Sequence, residues 1–223
     1  MHEVALEQVL VLGDEARLRN EGAGLVAVLA NGGTAKHVPG TWSATSELLA
    51  EELAPRHSEI AFAEVRYRVK SWQALDSCMA DAEAALDVVD GLGARRALLI
   101  GFSMGGAVSI GVASHDSVDG VLGLAPWIPE QLSLDVLAGK RLDVLHGAWD
   151  RWLPGIPGVS PGSSRRGFER ARALGAEGTY TTLDRALHGA AVRRRSGELV
   201  RLPRWRAWVE HVHGSLERFA AGA

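Results

Sequence analysis

Apolar residues fall along this chain in two rhythms. Short unbroken runs recur at Gly24-Leu25-Val26-Ala27-Val28-Leu29-Ala30, Ala97-Leu98-Leu99-Ile100 and Gly120-Val121-Leu122-Gly123-Leu124-Ala125. The first has the length of a strand buried on both faces, as in a parallel sheet; the others read as strands, as does Leu142-Asp143-Val144-Leu145-His146. Between the runs the period lengthens. Leu75, Cys78, Met79, Ala82, Leu86 and Val89 recur at three- and four-residue steps and predict a helix over 72–90, stopped by Gly91 and Gly93. Helices are also predicted over 43–54 (Ser43 or Thr45 as N-cap, Pro55 beyond the end), 104–115, 163–175 and 204–220, and strands over 59–69 and 178–183. Residues 4–18 break at Gly13-Asp14 and predict an antiparallel edge hairpin. Strands alternating with helices predict an α/β domain, a mostly parallel central sheet with helices on both faces, in one unit over residues 1–223. The Pro/Gly/Ser-rich stretch 153–164 reads as a loop within that domain.

Composition narrows the class. Apolar residues at 47% and charged residues at 23% are an ordinary globular balance, and the net charge of −3 makes no electrostatic case for nucleic acid. The lone cysteine, Cys78, cannot form an internal disulfide. The start Met1-His2-Glu3-Val4 lacks a basic region followed by an apolar core, and no run approaches the roughly 18 apolar residues of a membrane helix. A soluble cytoplasmic protein without membrane or nucleic-acid partners is expected.

The candidate chemistry centres on Gly101-Phe102-Ser103-Met104-Gly105-Gly106, placed between a predicted strand and a predicted helix. A serine on such a turn is a nucleophile elbow: flanking glycines admit a strained backbone, and the helix N-terminus offers free amides to the reacting atom. Function gathers outside the carboxyl ends of the strands of an open parallel sheet. Asp150 follows the 142–146 strand through Gly147-Ala148-Trp149, and His188 follows the 178–183 strand. In the order Ser103, Asp150, His188 whole strand–helix units separate the three, so their side chains can meet at one sheet edge. A serine needs a base, and a carboxylate holds that base in one tautomer. Asp184 and Asp135 are alternative acids. His146, at a predicted strand end, competes for the base, although there it would rather pack or orient the acid loop. Two amide donors for an oxyanion are expected from Met104 and from the loop after the 24–30 strand, at Gly33 or Thr34.

These segments carry a resemblance. The elbow Gly101–Gly106 and Leu145-His146-Gly147-Ala148-Trp149-Asp150 resemble the α/β-hydrolase superfamily, in a layout similar to its small esterases and dienelactone-hydrolase-like members. Asn31-Gly32 stands where the superfamily often has His-Gly. Dienelactone hydrolases proper use cysteine, so their substrate is not implied. Residues 128–140 are too few for the helical cap that relatives often insert before the next strand. The resemblance therefore implies a cap-less serine hydrolase, carboxylesterase-like, cleaving carboxylic esters or thioesters. Ser103 would be the nucleophile, His188 the base and Asp150 its orienting acid, with no metal or organic cofactor. The same fold also supports amide cleavage or a non-catalytic binding role.

Trp42, Trp127, Trp149 and Trp152 fall in predicted loops near the strand ends and are candidate substrate-binding residues, which would make one group of the small-molecule ester apolar or aromatic. Arg193-Arg194-Arg195 precede Ser196-Gly197. The segment reads as a solvated basic hairpin, although three adjacent arginines could instead attract an anionic substrate or an acidic partner.

Overall fold

The computed structural model of the chain describes residues 10–12, 16–151 and 158–222. We number the eight strands of its main sheet β1 (Leu10–Leu12), β2 (Ala16–Arg19), β3 (Leu25–Ala30), β4 (Ile60–Val65), β5 (Arg96–Phe102), β6 (Val118–Leu124), β7 (Arg141–Gly147) and β8 (Tyr180–Leu183). The helices are α1 (Ala44–Leu53), α2 (Leu75–Gly91), α3 (Met104–Gly111), α4 (Pro161–Ala173) and α5 (Trp205–Ala221). The spatial order of strands is β1-β2-β4-β3-β5-β6-β7-β8. Strands β3 to β8 run parallel, and β1 and β2 add an antiparallel edge. No separate cap domain stands between β6 and β7, where a single short turn, Asp135–Leu137, intervenes.

The unbroken apolar runs are explained by what covers them. On β3, Val26, Val28 and Ala30 face one half of the core with α2, α3 and α4. Ala27 and Leu29 face the other half with α1 and α5. Both sets are buried, so neither face of the strand tolerates a polar residue. The predicted stripe on α2 packs as expected, with Cys78, Ala82, Leu86 and Val89 buried. Helix α5 buries Trp208, Val209, Val212, Leu216 and Phe219 on the opposite face. Fully burying a side chain of that size contributes about 1.5–3 kcal/mol. Ser43 caps α1, its Oγ accepting from the Ser46 amide at 3.2 Å.

Several boundaries differ from the pattern-based expectation, and the strand expected over 59–69 ends at Val65, with Val69–Lys70 in a separate ribbon. Helix α3 ends at Gly111 rather than at 115, because Ala113 and His115 donate to residues three back and the chain tightens into a turn. His115 Nδ1 and Ser117 Oγ, 3.0 Å apart, then close the entry to β6. Helix α4 begins at Pro161, within the stretch expected to be loop. Ser160 Oγ accepts from the Ser163 amide at 3.1 Å, and proline suits the first helical turn because it lacks the amide that would go unpaired there. Two small ribbons lie outside the main sheet. Val38–Pro39 pairs with Val69–Lys70, and Ala191–Arg193 pairs with Leu199–Arg201.

Register places the loops that matter. Ala30 pairs with Gly101, so the segment from Asn31 emerges level with the elbow. Leu183 pairs with Gly147, so the loops carrying His188 and Asp150 leave the sheet side by side.

Candidate functional site

Ser103 sits between β5 and α3 with φ 55° and ψ −118°, a conformation that L-residues rarely adopt. Its neighbours hold it there. The Ser103 amide donates to the Leu124 carbonyl and the Trp127 amide donates to the Ser103 carbonyl, both at 2.9 Å. The flanking glycines are steric necessities: a Cβ at Gly101 would strike the Gly105 carbonyl, and one at Gly105 would strike the Ala30 carbonyl. The chain therefore crosses itself too closely for any side chain on either side of the serine.

Asp150 leaves β7 through a turn in which its amide donates to the Gly147 carbonyl at 3.0 Å. Its side chain is fully buried, and one oxygen, Oδ2, lies 2.7 Å from His188 Nδ1 and 2.9 Å from His146 Nε2. An ionised carboxylate accepts, so both imidazoles donate to it, and His188 is left with Nε2 as its free nitrogen. Burial pushes the Asp150 carboxyl up, but hydrogen bonds from His146 and His188, with their charges, outweigh burial and hold it below the ordinary aspartate value. The two loops are tied as well. The Ala148 amide donates to the Leu183 carbonyl at 2.8 Å, and the Trp149 amide donates to the Ala186 carbonyl at 2.9 Å. His146, wholly buried, thus orients the acid loop, and its Nε2 also lies 2.9 Å from the Val159 carbonyl.

Ser103 and His188 line one cavity of about 620 Å³. No hydrogen bond joins the two side chains. Of the alternative acids, Asp184 is exposed and pairs with Arg185, while Asp135 accepts from Ser133, so neither reaches His188. Gly32 and Gly33 line the cavity, and Thr34 does not. A Cβ at Gly32 would lie 3.4 Å from Ser103 Cβ, and one at Gly33 would run into the Met104 side chain, so this loop passes directly over the elbow. Asn31 fixes that loop: its carbonyl accepts from Tyr67 Oη at 3.0 Å, and its Nδ2 donates to the Thr41 carbonyl at 2.5 Å. Met104 opens α3, and its amide has no backbone acceptor among the described residues. Among the described residues no three of His, Cys, Asp and Glu gather as a metal site, and no helix is long and apolar enough to cross a membrane.

The tryptophan expectations divide. Trp42 and Trp127 line the cavity. The guanidinium of Arg17 stacks over the Trp42 ring at 4.1 Å. Trp149 does not line it; its side chain stands 51% exposed, and its backbone, through the amide bond to Ala186, braces the acid loop. Trp152 lies outside the described residues. Trp72 lines the cavity although nothing in the sequence marked it, because the Trp72 amide donates to the Thr34 carbonyl at 3.0 Å and draws the start of the α2 segment against the glycine loop. Phe102, whose ring centre lies 5.0 Å from that of His188, forms part of the floor.

No protein-family model matches the chain, and no curated protein matches it. Solved structures do. A sugar hydrolase (YeeB) from Lactococcus lactis superposes with a TM-score of 0.68 at 16% identity, over 97% of this chain and 99% of that one. The α/β hydrolase enzyme MGS-M1, from a Medee basin deep-sea metagenome library, superposes with a TM-score of 0.57 at 16% identity, over 82% and 83% of the two chains. A hormone-sensitive lipase from a metagenome library superposes with a TM-score of 0.58 at 18% identity, over 82% and 75%. At such identities the likeness is one of fold.

Proposed function

Starting from the α/β-hydrolase fold that this chain carries, we propose that the protein is a serine hydrolase cleaving carboxylic esters or thioesters. Ser103 Oγ attacks the substrate carbonyl while His188 Nε2 takes its proton. The imidazolium so formed is steadied by Asp150 through Nδ1. The negative charge that develops on the carbonyl oxygen is met by the amides of Met104 and Gly33, and losing one such donor typically costs about 100- to 1000-fold in rate. His188 then returns the proton to the leaving alcohol or thiol, an acyl-enzyme forms on Ser103, and water, activated by the same histidine, releases the acid. The aromatic residues of the cavity lining, Trp42, Trp72, Phe102 and Trp127, favour an apolar or aromatic group on one side of the scissile bond.

One observation carries the reading: the imidazole anchored 2.7 Å from a wholly buried carboxylate shares its cavity with a serine held at positive φ. A hydrolytic role also accords with the structural relatives, which include a sugar hydrolase and a lipase. The test is labelling by a fluorophosphonate probe together with hydrolysis of p-nitrophenyl butyrate. Wild type takes the label and turns over the ester, and Ser103→Ala does neither while keeping its unfolding transition. Undiminished turnover in Ser103→Ala would remove the nucleophile and with it the reading.

A further inference from the structure

The cavity lining carries charge as well as aromatic rings. It includes Lys70, Arg193, Arg194 and Arg195, and no carboxylate among the described residues. This concentration of positive charge occurs in a chain whose net charge is −3. The four cations are not equally engaged. Arg193 pairs with Glu47 at 2.9 Å. Arg194 pairs with Glu198 at 2.9 Å across the open hairpin, a surface pair of the kind that contributes little and exchanges readily. Arg195 is exposed, and Lys70 is half-buried; among the described residues neither has a carboxylate in ion-pair range. Among the described residues the Lys70 ammonium donates to the Thr41 hydroxyl, at 2.8 Å, and burial lowers its pKa. A cation that has given up water without gaining an anion is poised to take one.

Both groups are held in place relative to the serine. The hairpin bearing the arginines begins three residues after His188, and its base is clamped to α1: the Ala190 and Ala191 amides donate to Thr45 Oγ1 at 3.3 Å each. Lys70 closes the ribbon that borders the glycine loop, and its carbonyl accepts from Thr34 Oγ1 at 3.3 Å. The basic hairpin expected to be merely solvated therefore forms part of the cavity lining.

We infer that the preferred substrates are esters bearing a second, anionic oxygen group, a carboxylate or a phosphate, which Lys70 and Arg195 receive while the scissile carbonyl lies at Ser103. This rests on the hydrolase reading above and adds the substrate class. Two p-nitrophenyl esters of equal chain length test it, the monoester of adipic acid and the hexanoate. At low ionic strength wild type favours the adipate monoester in kcat/KM by about 10-fold, and the preference shrinks towards one at about 0.5 M salt. Lys70→Met combined with Arg195→Ala brings the ratio to about one, and Arg195→Glu turns it in favour of hexanoate. Turnover of both esters without preference, or a preference that survives the double substitution, overturns the inference and leaves the hydrolase reading standing. If neither ester is cleaved, the hydrolase reading fails, and tryptophan fluorescence titrated with adipate decides the remainder. Salt-sensitive quenching that the double substitution abolishes sustains an anion site, and no quenching overturns it.

Discussion

Replacing Asp150 by asparagine separates two things that a buried carboxylate does, hold the fold and tune the base. The side chain has no solvent exposure, and Oδ2 receives N–H groups from His188 at 2.7 Å and His146 at 2.9 Å. Burying an ionised carboxylate costs several kcal/mol. Hydrogen bonds to a charged acceptor contribute about 1.5–3 kcal/mol each, so the two offset that penalty with about 3–6 kcal/mol. Asparagine has the same shape, escapes the ionic penalty and keeps weaker versions of the bonds, so stability should change by no more than about 2 kcal/mol. Catalysis has no such compensation. Under the proposed mechanism the imidazolium formed when His188 takes the serine proton would lose its counter-charge, and an amide NH₂ turned towards Nδ1 would select the wrong tautomer. The corresponding change in a serine triad costs about 10⁴ in kcat, or about 5.5 kcal/mol at 1.36 kcal/mol per tenfold. The measurements are kcat for p-nitrophenyl butyrate and urea unfolding of the same samples. Because its native pKa is depressed, the Asp150 carboxylate contributes stability that is full above its unfolded pKa and is lost as pH falls through the lower native value. That acid-side loss should be smaller in Asp150→Asn. A folded Asp150→Asn within about tenfold of the wild-type kcat would refute the assignment of Asp150 as the orienting acid.

Two further outcomes follow from strain and from charge. Ser103 at φ 55° and ψ −118° stores backbone energy on the order of 1–3 kcal/mol. Glycine adopts such angles freely, so both Ser103→Gly and Ser103→Ala are inactive, but Ser103→Gly is the more stable by about 1 kcal/mol in thermal unfolding; equal stabilities would show that the elbow is relaxed. Glu64 shares Arg17 with Glu47, which has Arg193 as a second cation. Burial pushes Glu64 up to about 6, against the pull of Arg17. The native state then binds this proton more tightly than the unfolded chain. As pH falls from about 7 to about 4, wild type should gain about 2 kcal/mol of stability relative to Glu64→Gln (1.5 pH units at 1.36 kcal/mol each), and parallel pH–stability curves for the two proteins would contradict it.

The parts of the candidate site legible in the sequence share one property: each follows a strand of the parallel sheet. Ser103 follows β5, Asp150 follows β7, and His188 follows β8. The apolar runs that mark these strands are easy to read because both faces are covered, and a parallel sheet of known register leaves little freedom for what emerges from its carboxyl edge. The edge hairpin was legible for a different reason, the Gly13-Asp14 break in the sequence between residues 10–12 and 16–19. The boundary errors came from local chemistry that periodicity does not encode, such as the Ser160–Pro161 start of α4 and the tight turns that end α3.

The cavity walls obey a different rule, and this is why they resisted reading. Trp72 and Lys70 reach the site through a ribbon of two residues a side, and the arginines reach it through a hairpin of three. Segments this short carry almost no periodic signal, and they are placed by a few hydrogen bonds to residues distant in sequence, Trp72 to Thr34 and Ala190 and Ala191 to Thr45. Loop position alone also overcalled Trp149: the strand end fixes where its backbone lies but not which way the ring turns, and the ring stands exposed outside the cavity lining. The elements that would perform the chemistry are therefore set by the sheet, and those that would choose the substrate are set by appendages to it. Since an appendage can change its side chains without disturbing the sheet register, exchanging charges on the 193–201 hairpin should move substrate preference while the His188–Asp150 pair stays as it is.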